Sequence, residues 1–162
     1  MKNKQGILGQ LRAFLVASLA LWCVIGLQAA LAAEPIRVGA TASVSGVYAG
    51  PGQNQLEGLK MWAHDINARG ALLGRKVELV YYDDESDPDT TRRLYQRLIN
   101  DDMVDLLIGP YSSDLTLVAS EVAEQHDFPM VAAGAASSDI WTRGYRNIFQ
   151  VEIGRASCRE RV

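Results

Sequence analysis

The chain has 162 residues, 48% of them hydrophobic and 22% charged, with 14 glycines, two cysteines and a formal net charge of −3. So apolar a composition excludes disorder, and so few cysteines exclude a disulfide-dense scaffold. A sequence pI near 5.4 argues against nucleic acid as the partner.

The first segment in the chain reads as an export signal. Lys2, Lys4 and Arg12 precede an apolar run from Ala13 to Leu27, and Ala30-Leu31-Ala32 has the small-x-small form of a signal-peptidase site. The run is short of the roughly 20 residues that span a bilayer, so residues 1–32 are expected to be cleaved near Ala32 and the rest exported. Cys23 follows bulky Leu21-Trp22 inside the apolar run, a poor context for lipidation.

From residue 33 onward, strands and helices alternate. Ile36–Thr41 is a β-type run, and Gly50, Pro51 and Gly52 break the chain. Helical spacing then links Leu56, Leu59, Trp62, Ala63 and Ile66 between Gln55 and Ala68. Lys76–Tyr82 alternates as a strand, and Asp87-Pro88 supplies a helix N-cap with proline at the first helical position. Leu94, Leu98 and Ile99 mark the buried stripe of that second helix. Val104–Ile108, apolar but for Asp105 and followed by Gly109, reads as a parallel strand covered on both faces. Ser113 or Asp114 is expected to cap a third helix, with Leu117, Val118, Val122 and Ala123 turned inward. Pro129–Ala133 gives a fourth strand, Ser137 or Ser138 opens a short helix through Trp141, and Ile148–Val151 begins a fifth strand. The alternation predicts an α/β fold with a doubly wound parallel sheet.

The final segment, residues 152–162, reads E-I-G-R-A-S-C-R-E-R-V. It resembles the in-frame translation of a common sequencing adapter and is expected to be non-native. Without both end segments the remainder carries ten basic and seventeen acidic side chains, a net charge of −7, and no cysteine.

In open parallel sheets, ligands bind beyond the carboxyl ends of the strands. Gly109-Pro110-Tyr111-Ser112-Ser113 follows one strand and opens a helix, so free N–H groups and two hydroxyls form a receptor for a carboxylate or phosphate. Gly134-Ala135-Ala136-Ser137-Ser138 repeats the arrangement one strand later, with small side chains that admit a ligand to the backbone. Gly50-Pro51-Gly52 lacks the third glycine of a dinucleotide loop. Asp83-Asp84-Glu85-Ser86-Asp87 reads as a solvated loop ending in the N-cap, without the spacing of a calcium loop. No nucleophile elbow, P-loop or zinc-helix motif occurs. No enzymatic activity, metal or cofactor is expected.

Five motifs in order carry a resemblance: I-R-V-G-A-T-A-S-V-S-G from Ile36, D-I-N-A-R-G-A-L-L-G from Asp65, Y-D-D-E-S-D-P from Tyr82, L-I-G-P-Y-S-S from Leu107 and F-P-M-V-A-A-G-A-A-S-S from Phe128. The segment resembles the periplasmic solute-binding proteins of branched-chain amino acid ABC transporters. That resemblance implies a type I periplasmic-binding fold of two lobes, residues 33–151 forming a truncated N-terminal lobe and the second lobe being absent. It implies a small amino acid or amide ligand held between the lobes, a membrane permease as partner, and a monomer when complete. It further implies that Ser113 binds the ligand carboxylate through hydroxyl and backbone with Ser112 beside it. Gly134 and Ala136 would offer backbone groups, and Ser137 would supply the hydroxyl of a threonine that many relatives carry at Ala136. Tyr48 and Tyr111 would wall the side-chain pocket. The same fold also serves as the sensor domain of receptors, which stands as the alternative.

Overall fold

A computed structural model describes residues 34–151; the expected signal segment and the adapter-like tail lie outside them. The elements run β1 (Ile36–Ala42), α1 (Ala49–Ala68), β2 (Val77–Asp83), α2 (Pro88–Asn100), β3 (Leu106–Ile108), α3 (Ser113–Gln125), β4 (Met130–Ala132), a single 3-10 turn (Ser138–Ile140) and β5 (Ile148–Gln150). All strands are parallel, in the order β2-β1-β3-β4-β5. Val38 pairs with Leu79 on one side and Leu106 on the other, and Leu107 pairs with Met130. The α/β, doubly wound sheet expected from the alternation is present.

The order explains where the helices go. From β1 the chain steps outward to β2, then returns past β1 to β3 and continues to β4. Right-handed crossovers therefore send α1 to one face and α2 and α3 to the other. Strand period 2 splits the core accordingly. Val38, Leu106 and Ile108 face Ala63, Trp62 and Ile66 of α1. Leu107 and Met130 face Tyr95 and Leu98 of α2 and Ala119, Val122 and Ala123 of α3. β1 is an interior strand, flanked by β2 and β3, and Gly39 turns toward the α2–α3 layer; a Cβ there would lie 3.0 Å from Val104 and 3.1 Å from Leu107.

Several elements differ from the sequence reading, each for a physical reason. Helix α1 begins at Ala49, six residues before the expected start. Gly50-Pro51-Gly52 does not break the chain but forms the first helical turn, where Pro51's missing N–H has no intrahelical acceptor to lose. Gly52 is buried there because a Cβ would lie 2.3 Å from the Ser43 carbonyl oxygen. The cap of α3 is Ser112, whose hydroxyl accepts from Leu115 N–H, rather than Ser113 or Asp114. The inward face of α3 is Leu115, Thr116, Ala119, Ser120, Val122 and Ala123, while Leu117 and Val118 are half-buried. The cap at Asp87 is as expected: its carboxylate accepts from Thr90 N–H at 2.7 Å, with Pro88 following.

The acidic loop after β2 is not a solvated one. Asp84 is fully buried and accepts from the Thr41 hydroxyl at 2.7 Å, the Ser43 hydroxyl at 2.6 Å and the Ser86 N–H at 3.0 Å. Asp83 accepts from the Val44 N–H at 2.9 Å and the Ser45 hydroxyl at 2.8 Å. Ser86 donates to the Ser45 carbonyl and accepts from the Tyr48 N–H. The loops that follow β1 and β2 are thus clasped together, and Tyr48 is held at the end of the first.

Candidate functional site

Because the chain leaves β1 toward β2 but leaves β3 toward β4, the loops beyond these adjacent strands diverge and open a crevice between them. A cleft of about 730 Å³ occupies that position. One wall is the start of α1, with Tyr48, Pro51, Asn54 and Gln55. The opposite wall is Tyr111, Ser112 and Ser113, and Ala133, Gly134 and Ala136 line it from the end of β4.

The α3 wall presents donors. Ser112 N–H donates to the Gly134 carbonyl at 3.1 Å, and Tyr111 pairs with Gly134 as an isolated parallel bridge, so the two loops extend the sheet by one rung. Ser112 turns the chain into α3 at φ 83°, ψ 149°, a region costly for any residue with a Cβ. Its hydroxyl and carbonyl take the Leu115 and Thr116 N–H groups. The Ser113 and Asp114 N–H groups at the helix start have no intrahelical acceptor, and the positive end of the helix dipole lies with them. The Ser113 hydroxyl oxygen accepts from the Ser137 N–H at 3.2 Å, leaving its own proton to be donated.

The remaining lining is aromatic at Tyr48 and Tyr111, apolar at Pro51 and Ala133, and carries the amides of Asn54 and Gln55. The Tyr48 and Tyr111 rings meet edge-on, 6.0 Å apart at 63°, a favoured aromatic geometry. The Tyr48 hydroxyl is anchored on the Asp114 carboxylate at 3.2 Å. Among the described residues no Lys, Arg or His lines the cleft, so the groups they offer an anion are neutral donors and one helix terminus. Among the described residues no cluster of three or more His, Cys, Asp or Glu side chains is placed to hold a metal.

Of the residues singled out in the sequence, Tyr48, Tyr111, Ser112, Ser113, Gly134 and Ala136 are brought together around this cleft. Ser137 is not among the lining residues; its hydroxyl caps the 3-10 turn by accepting from Asp139 N–H at 3.3 Å, and it reaches the site through its backbone bond to Ser113. Pro51, Asn54, Gln55 and Ala133 were not singled out. The first three were hidden because glycine and proline at Gly50–Gly52 read as a break; a proline tolerated in a first helical turn was the available signal.

The chain's likeness to known proteins fits this architecture. Residues 35–156 match the family model described as periplasmic binding protein. The Leu/Ile/Val-binding protein of Escherichia coli is 31% identical over 118 residues, which are 73% of this chain and 32% of that protein. A solute binding protein of an ABC transporter from R. palustris, solved in complex with benzoate, is 29% identical with a TM-score of 0.66, over 76% of this chain and 34% of that one. A branched-chain amino acid transporter substrate binding protein from Streptococcus pneumoniae, solved with isoleucine, shares the fold at 24% identity and a TM-score of 0.70, over 74% of this chain and 34% of that one. The chain spans about a third of the length of the curated relatives it matches. With the matching model covering most of the chain and the sheet, crevice and loops arranged as described, the chain belongs to the periplasmic binding protein family.

Proposed function

We propose that this chain supplies one lobe of the extracytoplasmic substrate-binding component of an ABC transporter for amino acids or related small carboxylates. The observation that carries the proposal is the convergence of the α3 N-terminus at Ser112–Ser113 and the Gly134–Ser137 loop on one cleft. In this reading the ligand carboxylate takes the Ser113 hydroxyl and N–H, with Ser112 shaping the turn. Gly134 and Ala136 let the ligand reach the backbone, and Ser137 holds the Ser113 oxygen from behind. Tyr48 and Tyr111 form the wall for the ligand's side chain, which suits an aliphatic or a planar group. The names of the relatives, one for leucine, isoleucine and valine and one solved with benzoate, support that range.

The mechanism is binding without chemistry. The first lobe captures the carboxylate through neutral donors, and a second lobe closes over the ligand, selecting the closed state that a membrane permease recognises. The second lobe would supply the charged acceptors for the ligand's ammonium, since no Asp or Glu is among the described residues that line this cleft. Cleavage near Ala32 would release the protein into the periplasm as a monomer.

Calorimetric titration of the chain with leucine, isoleucine, benzoate and leucinamide tests the reading. Saturable binding of the carboxylates, with leucinamide at least about tenfold weaker, is expected. Leucinamide binding as tightly as leucine, or no carboxylate binding up to about 10 mM, overturns it.

A further inference from the structure

Gln55 is a cleft residue to which no motif or family likeness gives a role. It projects from the second turn of α1 and donates from Nε2 to the Gly109 carbonyl at 2.9 Å, just beyond the end of β3. That bond fixes the amide, because the flipped orientation would set two oxygens against each other at the same distance. Oε1 is thereby turned to Gly134, just beyond β4, where a Cβ would lie 2.9 Å from it. Oε1 is buried and is the one buried side-chain polar atom without a hydrogen-bond partner among the described residues. Leaving a buried acceptor in this state is costly, and sequences carry such a cost chiefly where a site requires it.

The side chain therefore spans the two strand ends that carry the donors, bonded to Gly109 at one and occupying the space a Cβ of residue 134 would need at the other. We propose that Gln55 is a positioning residue that sets the spacing between the start of α3 and the Gly134–Ser137 loop. Given the reading of this cleft as a carboxylate site, it thereby sets ligand affinity without touching the ligand's charge. With Oε1 held in this place, the room a side chain at 134 would need is already taken. A methyl group would press on Oε1 at 2.9 Å and on the Tyr111 Cα at 3.2 Å. The Ser112 N–H to Gly134 carbonyl bond at 3.1 Å carries the same spacing to the helix cap.

The test uses Gln55→Met, which keeps the length and removes the amide, together with Gln55→Ala, Gly134→Ala and the Gln55→Ala/Gly134→Ala double variant. Amide hydrogen exchange is read at Ser112 and Ser137 against β1 amides as an internal reference for global stability. Gln55→Met is expected to speed exchange at Ser112 and Ser137 about tenfold relative to β1. Gly134→Ala is expected to perturb these amides several-fold less in the Gln55→Ala background than alone, the signature of a direct coupling. Unchanged relative exchange in Gln55→Met, or an equal effect of Gly134→Ala in both backgrounds, overturns the proposal. A leucine titration of the same variants separates the two readings. Loosened amides with no leucine or benzoate binding by any variant, wild type included, uphold the spacing role and sink the ligand reading. Wild-type binding that Gln55→Met leaves intact, with its amides unmoved, sinks the role of Gln55 alone.

Discussion

The Ser113 hydroxyl oxygen accepts a hydrogen bond from the Ser137 N–H at 3.2 Å, joining the first residue of α3 to the loop beyond β4. The bond orients the hydroxyl and leaves its proton for a ligand. Ser113→Ala is therefore expected to weaken carboxylate binding by about 1–3 kcal/mol, the range for a lost charge-assisted hydrogen bond. It should also cost about 1 kcal/mol of stability, because the Ser137 N–H loses its acceptor, while Ser112 still caps α3. Calorimetry and a thermal melt on the same sample check both halves.

Ser112 holds a backbone conformation, φ 83° and ψ 149°, that glycine adopts freely and residues with a Cβ resist at a cost of about 1–3 kcal/mol. Replacing a cap serine with glycine costs only a few tenths of a kcal/mol, against about 1 kcal/mol for alanine. Ser112→Gly is thus expected to stabilise the chain by about 1 kcal/mol and Ser112→Ala to destabilise it by about 1 kcal/mol. Urea denaturation distinguishes the two signs.

Asp84 is the buried centre of the clasp that holds Tyr48 in place. Asp84→Ala leaves the Thr41 and Ser43 hydroxyls and the Ser86 N–H without their acceptor, and a loss of about 2–5 kcal/mol is expected. Asp84→Asn keeps one oxygen and should cost less. Urea midpoints measure the order, and the Tyr48–Tyr111 wall should loosen with it, seen as broadened ring resonances.

Two other carboxylates of this loop are expected to contribute to the acid dependence of stability. Partial burial pushes Asp83 up, but donation from the Glu85 N–H, the Ser45 hydroxyl and N–H and the Val44 N–H outweighs it and holds the group below its ordinary 3.8. Asp87 is held below 3.8 by the Thr90 N–H and hydroxyl. Because both values are depressed on folding, their stabilisation is complete above about pH 4 and is lost as the pH falls through the folded values. Urea midpoints measured from about pH 6 down to pH 3 should fall only at the acid end. The Asp83→Asn, Asp87→Asn double variant should start lower at pH 6 and lose less on acidification.

How legible this was depended on whether a signal is local or made by neighbours in the fold. Apolar runs and turn residues placed every strand to within about two residues, and Asp87-Pro88 announced its cap outright, since one side chain and one ring carry that information. The loops at 109–113 and 134–138 were legible as donors because strand, small residues and helix start follow one another in the chain. The sequence presents Asp84 as solvated because nothing local says that Thr41 and Ser43, more than forty positions earlier, close over it. The sequence points to Ser113 or Asp114 as the cap in place of Ser112, because these neighbouring side chains offer the same acceptor chemistry and only the backbone angle chooses between them. Gln55 was invisible as a strut, since its partners Gly109 and Gly134 meet it only across the crevice.

The central claim, that a carboxylate sits between the start of α3 and the loop after β4, is tested most directly by amide NMR shifts during titration with leucine and with leucinamide. Leucine is expected to move the Ser113, Asp114, Ala136 and Ser137 N–H resonances in a saturable way, with leucinamide moving them little. Equal shifts with both compounds, or leucine shifts confined to amides outside this cleft, would contradict it.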